Sequence, residues 1–173
     1  MNNAIVQNAI RWVAFVFFQI LILKQMVINT TWLHDLSILF YPLFIILLPL
    51  RYSTTSVMVI GFFTGLFVDI FYDSIGVHAA SCVFLAFIRP FAFTILSPRE
   101  GYNVDLSPTA HKLSFPWFVR FSGILMASFC FFYFSVDAFT FAYLGQILLK
   151  TGKSFIFSMV LILAFMMIFN PKE

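Results

Sequence analysis

The sequence predicts an all-α, polytopic transmembrane helical bundle of about six spans, and two observations carry that prediction. Of its residues, 62% are hydrophobic and only 10% charged, with 26 phenylalanines among 173 positions. A soluble domain of this size cannot cover so much apolar surface, whereas a bilayer dissolves it. The apolar residues also fall into long blocks. A helix rises about 1.5 Å per residue, so about 20 apolar residues cross a ~30 Å hydrocarbon core.

Taken in order, the spans are expected near Ile5–Lys24, Leu36–Leu50, Ser56–Tyr72, Val77–Leu96, Trp117–Val136 and Phe155–Phe169. The first carries Arg11 about two turns in, with no small-residue cleavage site after it, so it is expected to stay in the mature protein. The second is short, and Asp35 and Arg51 at its ends can reach the interfaces along their stems. Pro42 and Pro90 fall inside spans and are expected to bend them. Trp12, Trp32 and Trp117 lie near span ends, where an aromatic belt is expected. Cys82 and Cys130 are expected to act as small hydrophobes within spans, without a disulfide or a metal.

Charge orients the bundle. With both termini in the cytoplasm, the inner side holds Arg11, Arg51, Arg89, Arg99, Lys112, Arg120 and Lys172. The outer side holds only Lys24, Lys150 and Lys153, so the positive-inside rule favours this topology. The longest connection, Ser97–Pro116, is then cytoplasmic, and Pro98, Pro108 and Pro116 make it an irregular loop. Residues 1–173 read as one integral membrane domain without repeats. The net charge of +3 is spread over many loops and gives no sign of nucleic-acid binding.

One helix breaks the apolar pattern. Gly61, Gly65, Asp69 and Asp73 recur at intervals of four and share one side of it. A carboxylate within a span costs about 2.5–3.5 kcal/mol on insertion scales, so it calls for a partner or a role. The glycines suit close packing against the small patch Ala79, Ala80, Ser81 and Cys82 of the next span. Gly76 suits the left-handed residue that ends the helix before an antiparallel return. Asp69 and His78 are expected at the same level, joined by a hydrogen bond across the turn. That pair reads either as a structural staple or as a proton relay or ligand contact. Arg89 is expected to reach the cytoplasmic interface just before the Pro90 bend.

Catalytic constellations are weak. Gly65, Asp69 and Asp73 match the second half of the CDP-alcohol phosphatidyltransferase motif, but Leu50–Thr55 lacks the upstream aspartates that would complete a metal site. His34, His78 and His111 have no metal-ligand spacing, and no serine or cysteine has a base nearby in sequence. The chain therefore reads as a non-enzyme, without cofactor.

The block from Pro49 to Pro90 resembles the bacterial rod shape-determining membrane protein family MreD. It carries Gly61-Phe-Phe-Thr-Gly65-Leu-Phe-Val-Asp69, then Ser74-Ile-Gly76-Val-His78-Ala-Ala, then Leu85-Ala-Phe-Ile-Arg89-Pro90. The resemblance covers about a quarter of the chain, and hydropathy alone the rest. It implies a scaffold of the cell-elongation complex that assists peptidoglycan synthesis. The implied partners are a single-span MreC-like protein, an MreB-like filament and the RodA/PBP2 synthase pair, besides membrane lipid. A homodimer within that complex stays open. The implied fold is similar to the substrate-binding membrane subunit of ECF-type vitamin transporters, and Gly61, Gly65, Asp69, Gly76 and His78 become a packing and partner-contact hairpin.

Two surfaces are further candidates for contacts. Ala138–Lys150 is apolar and can lie in the periplasmic interface as a short helix, with Tyr143 and Leu144 offered to a partner; Arg89 and Pro90 form a second candidate interface. The cytoplasmic loop with Arg99, Glu100, Asp105 and Lys112 is either a filament contact or a solvated linker. The alternative function is an ECF-type vitamin-binding subunit, which needs convergent polar groups and small-residue docking faces. The bulky run Phe15–Leu23 does not supply such a face. A lipid-handling protein that uses Asp69 and His78 is a third reading.

Overall fold

The computed structural model describes residues 2–25, 36–74, 76–97, 108–109, 113–139 and 144–169. Among these there is no β-strand. Helix α1 (Asn2–Phe18) continues into one π-helical turn, Gln19–Leu23. A short α2 (Pro42–Ile46) follows, then α3 (Thr54–Tyr72), α4 (Val77–Ile95), α5 (Phe115–Ala138) and α6 (Leu144–Phe169). Five helices are long and apolar enough to cross a membrane: α1 with its π turn, α3, α4, α5 and α6.

The expected helical span Leu36–Leu50 is different. Only Pro42–Ile46 is helical, with Pro42 at its first turn, where a missing N–H costs nothing. Residues 36–40 form an irregular, non-helical stretch. A non-helical backbone rises up to about 3.3 Å per residue, so fifteen residues can cover a distance that would need twenty in a helix. Burial is complete enough to make this possible: Leu39, Tyr41, Leu43, Ile45 and Ile46 are inaccessible to solvent. Irregular backbone is tolerated at membrane depth only where protein surrounds it and satisfies its polar groups.

Three side chains on two helices do so. The Gln19 amide accepts the Phe40 N–H at 2.7 Å and donates to the Ile38 carbonyl at 2.9 Å, as a neighbouring strand would. On the other edge, the Ser37 and Leu39 N–H groups donate to Ser154 and Ser158 at 3.2 and 2.9 Å. The registers match because two extended residues advance about 6.6 Å and four helical ones about 6 Å. At the far end of the segment, Arg89 donates to the Leu48 carbonyl.

Around this central segment, α3 packs on α4, α4 on α5 and α5 on α6, while α1 touches α2. Trp12 points inward from α1 and donates to Thr64 of α3 at 2.9 Å, so it is a tie between helices as well as a residue near a span end. Phenylalanine is used inside as well as on the lipid-facing exterior. Phe15, Phe40 and Phe165 meet edge to face at 5.1–5.4 Å, joining α1, the central segment and α6. Between α1 and α6 a groove of about 510 Å³ stays open, walled by Phe18, Leu161 and Phe169.

Candidate functional site

Helices α3 and α4 form the antiparallel hairpin on which the motif residues lie. A Cβ added at Gly65 would sit 2.5 Å from the Ala79 Cα and from the His78 carbonyl oxygen. At Gly61 it would lie 3.0 Å from the Cys82 carbonyl oxygen. The glycines are thus required by backbone contact, the use of small residues that lipid favours.

The turn departs from expectation in one respect. Asp73 is the left-handed residue that ends α3, at φ 53°, while Gly76 is left-handed at φ 79° as the N-cap of α4. Gly76 offers no side chain to cap the helix it begins. Asp69 does this from across the hairpin. Its Oδ1 accepts the Ser74 hydroxyl at 2.5 Å and the His78 N–H at 3.0 Å, and its Oδ2 accepts the Ala79 N–H at 2.9 Å. His78 and Ala79 are the second and third residues of α4, the N–H groups an N-cap normally serves. Asp73 is exposed.

The expected side-chain pair of Asp69 and His78 is therefore corrected: the carboxylate holds the His78 backbone, and the imidazole turns to Tyr41. Its Nδ1 lies 2.8 Å from the Tyr41 hydroxyl. The same hydroxyl accepts the Cys82 thiol at 3.8 Å, so Tyr41 joins the imidazole to a third buried polar group. The rings of Tyr72, Tyr133 and Tyr41 surround the imidazole at 4.8, 4.9 and 5.6 Å. His78 is wholly buried, and its Nε2 has no partner among the described residues. Tyr72 in turn accepts from Gln19 at 2.7 Å, which links this cage to the central segment.

Arg89 is also corrected. It is not turned out to solvent: it is 4% exposed, donates to Leu48 and lies 5.0 Å from the centre of the Phe93 ring. Neither partner carries charge. Pro90 beside it is exposed. Leu144 is the first residue of α6 and is exposed, so Leu144–Lys150 forms the opening turns of a long helix instead of a separate interfacial one. Tyr143, His34, Asp35, Trp32 and the charged residues 99–105 lie outside the described residues. Cys82 and Cys130 are free, buried thiols.

The sequence reading missed Gln19, Tyr41, Ser154 and Ser158. The available signal was polarity without an evident reason: a glutamine deep in an apolar run, and two serines four apart on one face of the last helix. Compared with models of known protein families, with curated proteins and with solved structures, the chain matches none.

Proposed function

We propose that this protein is a non-enzymatic membrane scaffold of the MreD kind, acting in bacterial cell elongation with an MreC-like protein, an MreB-like filament and a RodA/PBP2-like synthase pair. One observation carries the reading. Asp69, the motif residue best suited to chemistry, directs both oxygens to capping α4. The residues that resemble the family are thus a rigid hairpin, the role that a scaffold gives them. In this reading the chain crosses the inner membrane six times with both termini cytoplasmic, the second crossing being the irregular segment 36–50. Gentle affinity purification from native membranes, with mass spectrometry of what travels along, tests it. Recovery of an MreC-like single-span protein or the synthase pair is the expected result, and its absence from intact preparations rejects the proposal.

The vitamin-binding alternative is favoured by one observation, the unpartnered Nε2 of His78 inside its tyrosine cage. Paired ATPases and a coupling membrane subunit in the same purification would select it.

A further inference from the structure

Where the central segment turns into α3, a cavity of about 390 Å³ opens beside α4. Its walls include Tyr52, Thr54, Val57, Ala86, Arg89 and Phe93, and no carboxylate among the described residues. Arg89 dominates its chemistry. This guanidinium is 4% exposed, and its Nε–H meets no acceptor among the described residues. A planar fork of five N–H donors is fitted to oxyanions, and here the Leu48 carbonyl and the Phe93 face engage only part of it.

A second feature converges on the same space. Thr54 opens α3, a helix of 19 residues, so the positive end of its dipole faces the cavity. The first turn is capped by Ser53, whose hydroxyl accepts the Ser56 N–H and whose carbonyl accepts the Val57 N–H. The N–H groups of Thr54 and Thr55 have no acceptor within the helix, and Thr54 lines the cavity. Arg51 lies over the Tyr52 ring at 5.6 Å, so a second positive charge stands next to one wall of the cavity.

We infer that this cavity binds an oxyanion of the phosphate class, held by Arg89, the start of α3 and the Tyr52 and Thr54 hydroxyls. Two sources share that chemistry: the headgroup of an anionic phospholipid and free inorganic phosphate. The inference does not depend on the scaffold reading.

The test is thermal unfolding of the delipidated protein in neutral detergent. Phosphatidylglycerol, phosphatidylcholine or inorganic phosphate is added at matched ionic strength. Binding to the folded state raises Tm in proportion to occupancy. Phosphatidylglycerol is expected to raise Tm and phosphatidylcholine to leave it unchanged. Arg89→Gln is expected to weaken the apparent affinity by at least about tenfold, the scale of one charge-assisted hydrogen bond. Should Arg89→Gln fail to fold, Thr54→Val and Tyr52→Phe remove rim hydroxyls alone and are expected to weaken binding about threefold each. A shift with phosphatidylglycerol alone assigns the site to a lipid headgroup, and one with inorganic phosphate assigns it to free phosphate. The inference is overturned if neither anion shifts Tm beyond the phosphatidylcholine control. It is equally overturned if the shift persists undiminished in all the variants that fold.

Discussion

Asp69 holds His78 by its backbone amide, at 3.0 Å, and leaves the imidazole to Tyr41. The carboxylate is therefore a cap supplied by a neighbouring helix, and the histidine is oriented by a tyrosine from the irregular central segment. Replacing Asp69 separates a structural role from a chemical one. Asp69→Ala leaves the His78 and Ala79 N–H groups unserved and is expected to destabilise the fold by about 2–4 kcal/mol. Asp69→Asn keeps one acceptor oxygen and is expected to lose about half as much. Thermal unfolding in detergent reads both. Loss of the proposed scaffold function in Asp69→Asn at unchanged Tm would instead point to a chemical role.

The three best-placed glycines are expected to rank by the space around them. Gly65→Ala drives a Cβ to 2.5 Å from the Ala79 Cα and is expected to cost about 3 kcal/mol or more. Gly61→Ala, at 3.0 Å from the Cys82 carbonyl, is expected to cost about 1 kcal/mol. Gly123, in mid-α5, has nothing within 4 Å of the added atom, so Gly123→Ala is expected to gain about 0.5–1 kcal/mol from helix propensity. Unfolding midpoints that do not follow this order would contradict the hairpin packing.

Gln19→Leu strips partners from the Phe40 N–H, the Ile38 carbonyl and the Tyr72 hydroxyl at once. With about 1–3 kcal/mol for each buried group left unsatisfied, this single change is expected to prevent stable folding. Ser158→Ala removes one such bond and Ser154→Ala a longer one, so the former is expected to be the more damaging. Hydrogen exchange across residues 36–41 should quicken in both variants before global stability is lost.

Cys82 and Cys130 are inaccessible in the folded chain. A maleimide is expected to label neither in the native protein and both after unfolding in SDS. Rapid labelling of Cys82 in the native protein would mean that the hairpin opens.

The sequence carried most of the long helices well, because lipid exposure leaves an uninterrupted apolar record, but it began the last one at Phe155 where α6 starts at Leu144. Ser56–Tyr72 and Val77–Leu96 fall within two residues of α3 and α4. It failed at Leu36–Leu50, where hydropathy reports burial and says nothing of backbone shape. The partners that permit an irregular backbone there are side chains far away in sequence. Arg89 was misplaced for a related reason. A cation near a span end is ordinarily drawn to water, and only the Leu48 carbonyl, freed by the irregular segment, turns it inward. For Asp69 and His78 the proximity was legible, but the choice between backbone and ring was not, because it depends on Tyr41.

The bond between Leu39 and Ser158 joins residues 119 positions apart. At about 5–20 residues per second, the ribosome needs roughly 6–24 s to make the later one after the earlier. For that interval the segment holds amides that the lipid cannot satisfy and that the last helix has not yet reached. The biogenesis of this protein thus has a waiting period written into it. During that period Gln19 holds the segment, through Phe40 and Ile38, and truncation before Ser154 would leave the Ser37 and Leu39 N–H groups without their partners.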